Sequence, residues 1–265
     1  MNVPPFPHAP APGITSGPGP ASAPPPGPAP GPAPGTDLGA DFGAALRFTG
    51  QGLLRALGPT LGAAAVHGVL FLVVLTTSFI GMLLAAIAMV EASPTADGEL
   101  SLGQTLVVLA LSLVMVLVTG VVGALWQAGS ARAAEVLADG GRPSFVQALL
   151  GSARVIVTGW IVFAAVTAGT ILMYLPGLVA AFALFYAIPA AQRGASPFAA
   201  IVESVRTAFS RPGLTALGVL FVIVASYVCG IVVIGLLVLI PATVLLQTGL
   251  YERIQGRALP VLARP

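Results

Sequence analysis

Four apolar stretches, set apart by short polar connections, organise this chain. Residues 61–90 contain one ionisable group, His67, and residues 102–128, 155–191 and 213–250 contain no charged side chain. A helix needs about 20 apolar residues to cross the hydrocarbon core of a bilayer, so the first two stretches each predict one span. The other two are double length and predict two spans each. Pro176-Gly177 is a strong turn signal and divides the third stretch into 155–174 and 177–192, while the fourth divides near Cys229-Gly230. The pattern predicts an all-α polytopic membrane bundle of about six spanning helices.

The polar connections orient this bundle. All eleven basic residues are Arg, and each lies before the first span, between spans two and three, between spans four and five, or after span six. The other three connections hold no basic residue, and the longest carries Glu91, Asp97 and Glu99. The positive-inside rule then places both termini in the cytoplasm and the protein in the cytoplasmic (inner) membrane. Trp126, Trp160 and Tyr251 fall at the predicted cytoplasmic ends of spans, where aromatic rings anchor at the interface.

Composition sharpens the picture at the N-terminus. Residues 1–36 are Pro, Ala and Gly of low complexity, too poor in large apolar groups to offset ordering entropy. Three regions are expected: a disordered cytoplasmic tail at 1–40, a membrane domain at 41–258 and a short cytoplasmic tail at 259–265. Only 8% of residues are charged, against about a quarter in soluble domains, and no basic cluster suits nucleic acid. One cysteine, Cys229, excludes an intramolecular disulfide.

A repeat runs through the pattern. A shift of 52 residues superposes Ser144, Ala148, Ser152 and Arg154 on Ser196, Ala200, Ser204 and Arg206, and Ile188-Pro189-Ala190 on Ile240-Pro241-Ala242. Each unit reads as an amphipathic helix followed by a membrane hairpin, giving three such repeats. In the last unit Phe198, Ile201, Val202, Val205 and Phe209 share one helical face and Glu203, Arg206 and Ser210 the other; Ser196 is the expected N-cap, with Pro197 at the first helical position. In the first unit Asp41 is the expected cap, with Arg47, Gln51 and Arg55 on the polar side. The middle unit begins at Ser144-Phe145. Two arrangements fit these helices: they lie in the membrane interface, or they extend the spanning helices.

Three runs carry a resemblance: Ser144-Phe145-x-x-Ala148-Leu149-x-x-Ser152-x-Arg154, Tyr186-Ala187-Ile188-Pro189 and Ser196-Pro197-Phe198-x-Ala200-Ile201-x-x-Ser204-x-Arg206. Over about residues 41–258 the chain resembles a bacterial group of six-helix membrane proteins. That group includes the membrane domain attached to some glycerophosphodiester phosphodiesterases, and YciC-like proteins. The resemblance implies a fold and a link to membrane lipid, not an activity, since no segment here is large enough for the hydrolase domain.

Candidate chemistry is sparse. No metal, nucleophile or phosphate-loop motif occurs, so no catalytic residue, metal site or cofactor is expected. Glu135 and Asp139, four apart, read as an exposed helix face, with a cation pair as the alternative. His67 reads as a core or interfacial histidine. Arg47, Arg55, Arg154, Arg206 and Arg211 are the candidate contacts to anionic lipid head groups. Thr76, Thr77 and Ser78, with the matched Pro189 and Pro241, are the candidate lining of a cavity. The expected role is a non-enzymatic structural, lipid-organising or partner-binding membrane component, whose partners are membrane lipids and other membrane proteins or copies of itself. The alternative is a transporter or permease component for an apolar or zwitterionic solute.

Overall fold

The computed structural model describes residues 33–92, 101–231 and 233–262. Residues 1–32 of the expected 1–40 tail, and the acidic turn from residue 93 onward, lie outside the described residues, while the end of that expected tail is ordered, with α1 starting at Leu38. The described chain holds ten helices: α1 Leu38–Arg55, α2 Leu57–Ala92, α3 Leu102–Ala138, α4 Phe145–Leu149, α5 Ala153–Leu172, α6 Tyr174–Ala183, α7 Ala187–Gln192, α8 Pro197–Ser210, α9 Pro212–Ile231 and α10 Val233–Ile254. Six segments are long and apolar enough to cross a membrane: Leu57–Met89, Leu102–Ala138, Phe145–Leu172, Tyr174–Gln192, Pro212–Ile231 and Leu237–Ile254. The protein is a multi-pass integral membrane protein, built as three successive units of a capping helix and a hairpin: α1 with α2–α3, α4 with α5–α7, and α8 with α9–α10.

Large apolar side chains such as Leu72, Phe79, Leu109 and Ile171 face outward, while about half of the buried core residues are Ala, packed with Phe48, Leu137, Tyr186, Leu246 and Leu250. Lipid tails are as apolar as Leu, so helix contact in a bilayer is driven by close packing of small residues rather than by burial of large ones. The second hairpin gives an example. A Cβ on Gly169 would lie 2.8 Å from the Gly177 nitrogen, and one on Gly177 would lie 2.2 Å from the Thr170 hydroxyl.

Several boundaries depart from the sequence expectation. The second hairpin turns at Met173, not at Pro176-Gly177. Proline lacks only a donor that the first helical turn leaves unpaired anyway, so Pro176 opens α6 and Gly177 is freed for contact with α5. The cap of α1 is Asp37, whose carboxylate accepts from the Ala40 N–H at 2.6 Å, and Asp41 is buried elsewhere. In the middle unit α4 is only five residues long. The chain crosses α3 too closely there for the helix to continue: a Cβ on Gly151 would sit 2.3 Å from the Ala128 Cβ. At the far end, Leu262 is buried and Leu259 packs beside it on the core.

Ser144 and Ser196 both cap helices and Ala148 and Ala200 are both buried, as the 52-residue register anticipates. Neither α1 nor α8 extends a span. Backbone at Ala56 (φ −109°, ψ 21°) and Arg211 (φ −137°, ψ 64°) separates them from α2 and α9.

Pro189 and Pro241 occupy matched positions but behave differently. Pro241 lies inside the continuous α10. Before Pro189 the helix breaks, and the backbone tightens through Phe185 N–H to the Phe182 carbonyl and Ala187 N–H to the Leu184 carbonyl. The proline ring crowds the carbonyl four residues back, which is Phe185. The break leaves two polar groups, and one hydroxyl serves both: Ser204 accepts from the Tyr186 N–H at 3.0 Å and donates to the Ala183 carbonyl at 2.9 Å.

Candidate functional site

Residues from the Arg-bearing connections meet at one end of the bundle, as their parity in the sequence requires. The deepest pair joins α1 to α10. Asp41 and Arg253 are 2.7 Å apart and almost fully buried, and the Gly35 N–H adds a third donor to the same carboxylate oxygen at 3.1 Å. Next to it, the buried Glu252 carboxylate accepts from Arg193 at 2.8 Å and from Arg257. Arg193 also reaches Asp139 at 3.0 Å. Burial opposes the Arg193 charge, but hydrogen bonds and Coulomb attraction from Glu252 and Asp139 outweigh it, so its pKa is raised above the ordinary value. Glu135 accepts from Arg132 and from the Gln192 amide, and the Tyr251 hydroxyl donates to Glu203. Glu135 and Asp139 therefore tie α3 to α7 and its C-cap rather than forming a cation pair.

This clasp corrects the reading of Tyr251 and Trp126 as belt anchors. Tyr251 is buried and its hydroxyl is used within the clasp. Trp126 is buried against His67, the rings parallel within 8° and 6.1 Å apart, and its indole N–H has no partner among the described residues. His67 Nδ1 lies 2.9 Å from the Ala63 carbonyl, which fixes the proton on that nitrogen. Trp160 is half-buried, with its N–H directed at the Leu117 carbonyl.

The five candidate head-group arginines divide into two sets. Arg55 donates to the Gly140 carbonyl at 3.3 Å and Arg154 to the Gly194 carbonyl at 3.1 Å. Both glycines have positive φ just past the ends of α3 and α7. A cation there complements the carbonyls and dipole of a helix C-terminus, so these two side chains are held to the protein. Arg47, Arg206 and Arg211 are exposed and pair with no acid among the described residues.

Arg206 belongs to a helix with three faces. At about 100° per residue, Ala200, Ser204, Thr207 and Ala208 form one stripe of α8, buried against the bundle. A second stripe, Phe198, Val202, Val205 and Phe209, faces outward, with Phe198 77% and Val202 68% exposed. Glu203, Arg206 and Ser210 form the third. A helix in water buries its large apolar stripe, whereas α8 buries its small residues and turns the large ones out. The same register in α1 does the opposite: Ala45, Phe48 and Gly52 are buried, with Ala45 and Phe48 seated against Gly249 of α10.

A cavity of about 500 Å³ lies between α5–α7 and α9–α10, with Gln127 of α3 also lining it. Its walls are apolar, and Thr170, Tyr174, Ser226, Thr243 and Gln247 also face it. The candidate lining is not brought there. Thr76 and Thr77 are exposed on α2, and Pro189 and Pro241 are fully buried. Ile188 and Ile240, one position before each proline, do line it. Gln247 was visible in the sequence as a polar residue within an apolar run. Gln127 carried the same signal one residue from the end of the second run, where it reads as part of a polar connection.

Among the described residues no group of three His, Cys, Asp or Glu side chains is placed to hold a metal ion. Compared with known proteins, the chain matches no family model, no curated protein and no solved structure.

Proposed function

We propose that this protein is a non-catalytic component of the cytoplasmic membrane, with both termini in the cytoplasm, that organises lipid at the inner-leaflet surface. The observation carrying this reading is the three-sided α8. Its outward stripe of Phe198, Val202, Val205 and Phe209 suits the acyl boundary, and Arg206 beside it suits anionic head groups. Arg47 and Arg211, which also pair with no acid among the described residues, add exposed charge on α1 and just past the end of α8. Membership of the six-helix group that the motifs resemble is part of this proposal; the helix-plus-hairpin order supports it.

Extraction of the protein from mixed phosphatidylethanolamine and phosphatidylglycerol membranes into polymer nanodiscs tests the reading. Phosphatidylglycerol is expected to be enriched around the wild type, and the triple variant Arg47→Gln, Arg206→Gln, Arg211→Gln is expected to lose that enrichment. A solvatochromic probe at Val202→Cys, in a Cys229→Ser background, is expected to report an apolar setting. Unchanged lipid composition together with a water-exposed probe would discard the proposal.

A second reading, a permease component for an apolar or zwitterionic solute, is favoured by one observation, the cavity between the second and third hairpins. It predicts solute flux across sealed vesicles containing the protein, which the lipid-organising reading does not.

A further inference from the structure

We propose that the cavity between α5–α7 and α9–α10 binds one neutral amphiphile, with its uncharged hydrogen-bonding head at Gln127 and Gln247 and its apolar body directed toward the bilayer.

The size of the cavity, about 500 Å³, falls within the ~300–1,000 Å³ range of small-molecule sites. Among the described residues no charged side chain lines it. An ionised head group there would be desolvated without a counter-charge, which selects against phospholipids and simple ions. The walls are mainly apolar, with Val162, Val166, Val219, Ile223, Leu239 and Ile240 offering dispersion contacts, and the Thr170 and Ser226 hydroxyls that also face the cavity donate to carbonyls of their own helices. Such walls match an acyl or isoprenoid body.

The two amides set the head group. Gln127 and Gln247 are half-buried, line the cavity from α3 and α10, and make no side-chain hydrogen bond to another described residue. Each carries two donors and an acceptor, which are costly to leave unmade in an apolar setting. Thr243, one turn before Gln247 on the same face of α10, adds a hydroxyl. A hydroxyl, ester or ketone head satisfies this set, and a hydrocarbon does not.

Polarity also follows from the fold. Beyond Gln247, α10 leads to the fully buried Leu250 and then to Tyr251–Arg253 of the clasp, and Tyr186 fills the same end. At the opposite end, the lining residues Tyr174 and Leu178 are exposed. The cavity therefore opens away from the arginines, and an amphiphile entering there brings its head to the closed end. The inference concerns the interior of the bundle and does not depend on the surface role of α8.

Native mass spectrometry of the full chain in mild detergent, titrated with monooleoylglycerol, tests it, with oleoyl-lysophosphatidylglycerol as the anionic arm carrying the same chain. One equivalent of monooleoylglycerol is expected to bind, and a tenfold excess of the anionic lipid is expected not to displace it. The double variant Gln127→Leu, Gln247→Leu is expected to lose at least tenfold, and Val166→Trp, which fills the cavity, to abolish binding while helicity by circular dichroism is kept. Thr76→Val with Thr77→Val, exposed on α2 and outside the cavity lining, is expected to leave monooleoylglycerol binding unchanged. Displacement of monooleoylglycerol by the anionic lipid, equal binding by the double variant, binding that survives Val166→Trp, or no stoichiometric binding by the wild type overturns the proposal.

Discussion

The carboxylate of Asp41, in the first turn of α1, lies 2.7 Å from the guanidinium of Arg253, 212 residues further along the chain. This pair fastens the first unit to the last helix. Together with Glu252, Arg193 and Asp139 it makes the Arg-bearing end of the bundle a closed clasp.

Breaking one half of a buried pair costs more than the pair contributes, because a lone charge is left without water. Asp41→Ala is expected to destabilise the protein by about 3–5 kcal/mol. The double variant Asp41→Ala, Arg253→Met is expected to recover much of that loss. Thermal unfolding in a fixed detergent measures both. A double variant no more stable than the single one would show that the pair is not the relevant contact.

Ser204 satisfies both polar groups at the break before Pro189. Ser204→Ala keeps the shape and removes the hydroxyl. The expected cost is about 1–3 kcal/mol, the range for orphaning a buried polar group. Hydrogen exchange at the Tyr186 amide is expected to accelerate while exchange in α9 does not.

Two glycine substitutions are expected to have opposite effects. A Cβ at Gly177 meets the Thr170 hydroxyl at 2.2 Å and its backbone nitrogen at 2.8 Å, so Gly177→Ala forces α5 and α6 apart at a cost of about 1–3 kcal/mol. Gly81 has nothing within 4 Å of that position. Gly81→Ala is expected to be neutral, or stabilising by up to about 1 kcal/mol, through helix propensity alone. The same unfolding assay compares them.

Arginine parity predicts which helix ends face the cytoplasm. In a Cys229→Ser background, a cysteine at Ser101, the exposed cap of α3, is expected to react with a membrane-impermeant maleimide only from outside intact cells. A cysteine at Arg142, beyond the other end of α3, is expected to react only after the membrane is opened. Reversed labelling would invert the bundle and remove the inner-leaflet reading of α8.

Much of this architecture was legible in sequence because its signals are local. Hydropathy needs only a window as long as a helix, and a serine three residues before Ala or Gln carries its cap with it, as Ser144 and Ser196 do. Relationships between distant helices were not legible. Asp41 looked like a cap because it precedes a periodic run, yet its partner lies on the last helix. Trp126 and Tyr251 looked like interface anchors because they sit near span ends, and neighbouring helices enclose them. Thr76, Thr77 and Ser78 form the densest polar group in the spans, but α2 does not reach the cavity.

By itself, the sequence determined six apolar spans, their parity and the capping helix that opens each unit, since the cost of placing charge and unpaired backbone in hydrocarbon leaves few other solutions. Tertiary structure alone decided which faces those helices turn inward. Close packing in lipid rewards small residues wherever two backbones meet, and that choice put Phe48 of α1 inside, Phe198 of α8 outside, and a hollow beside Gln247.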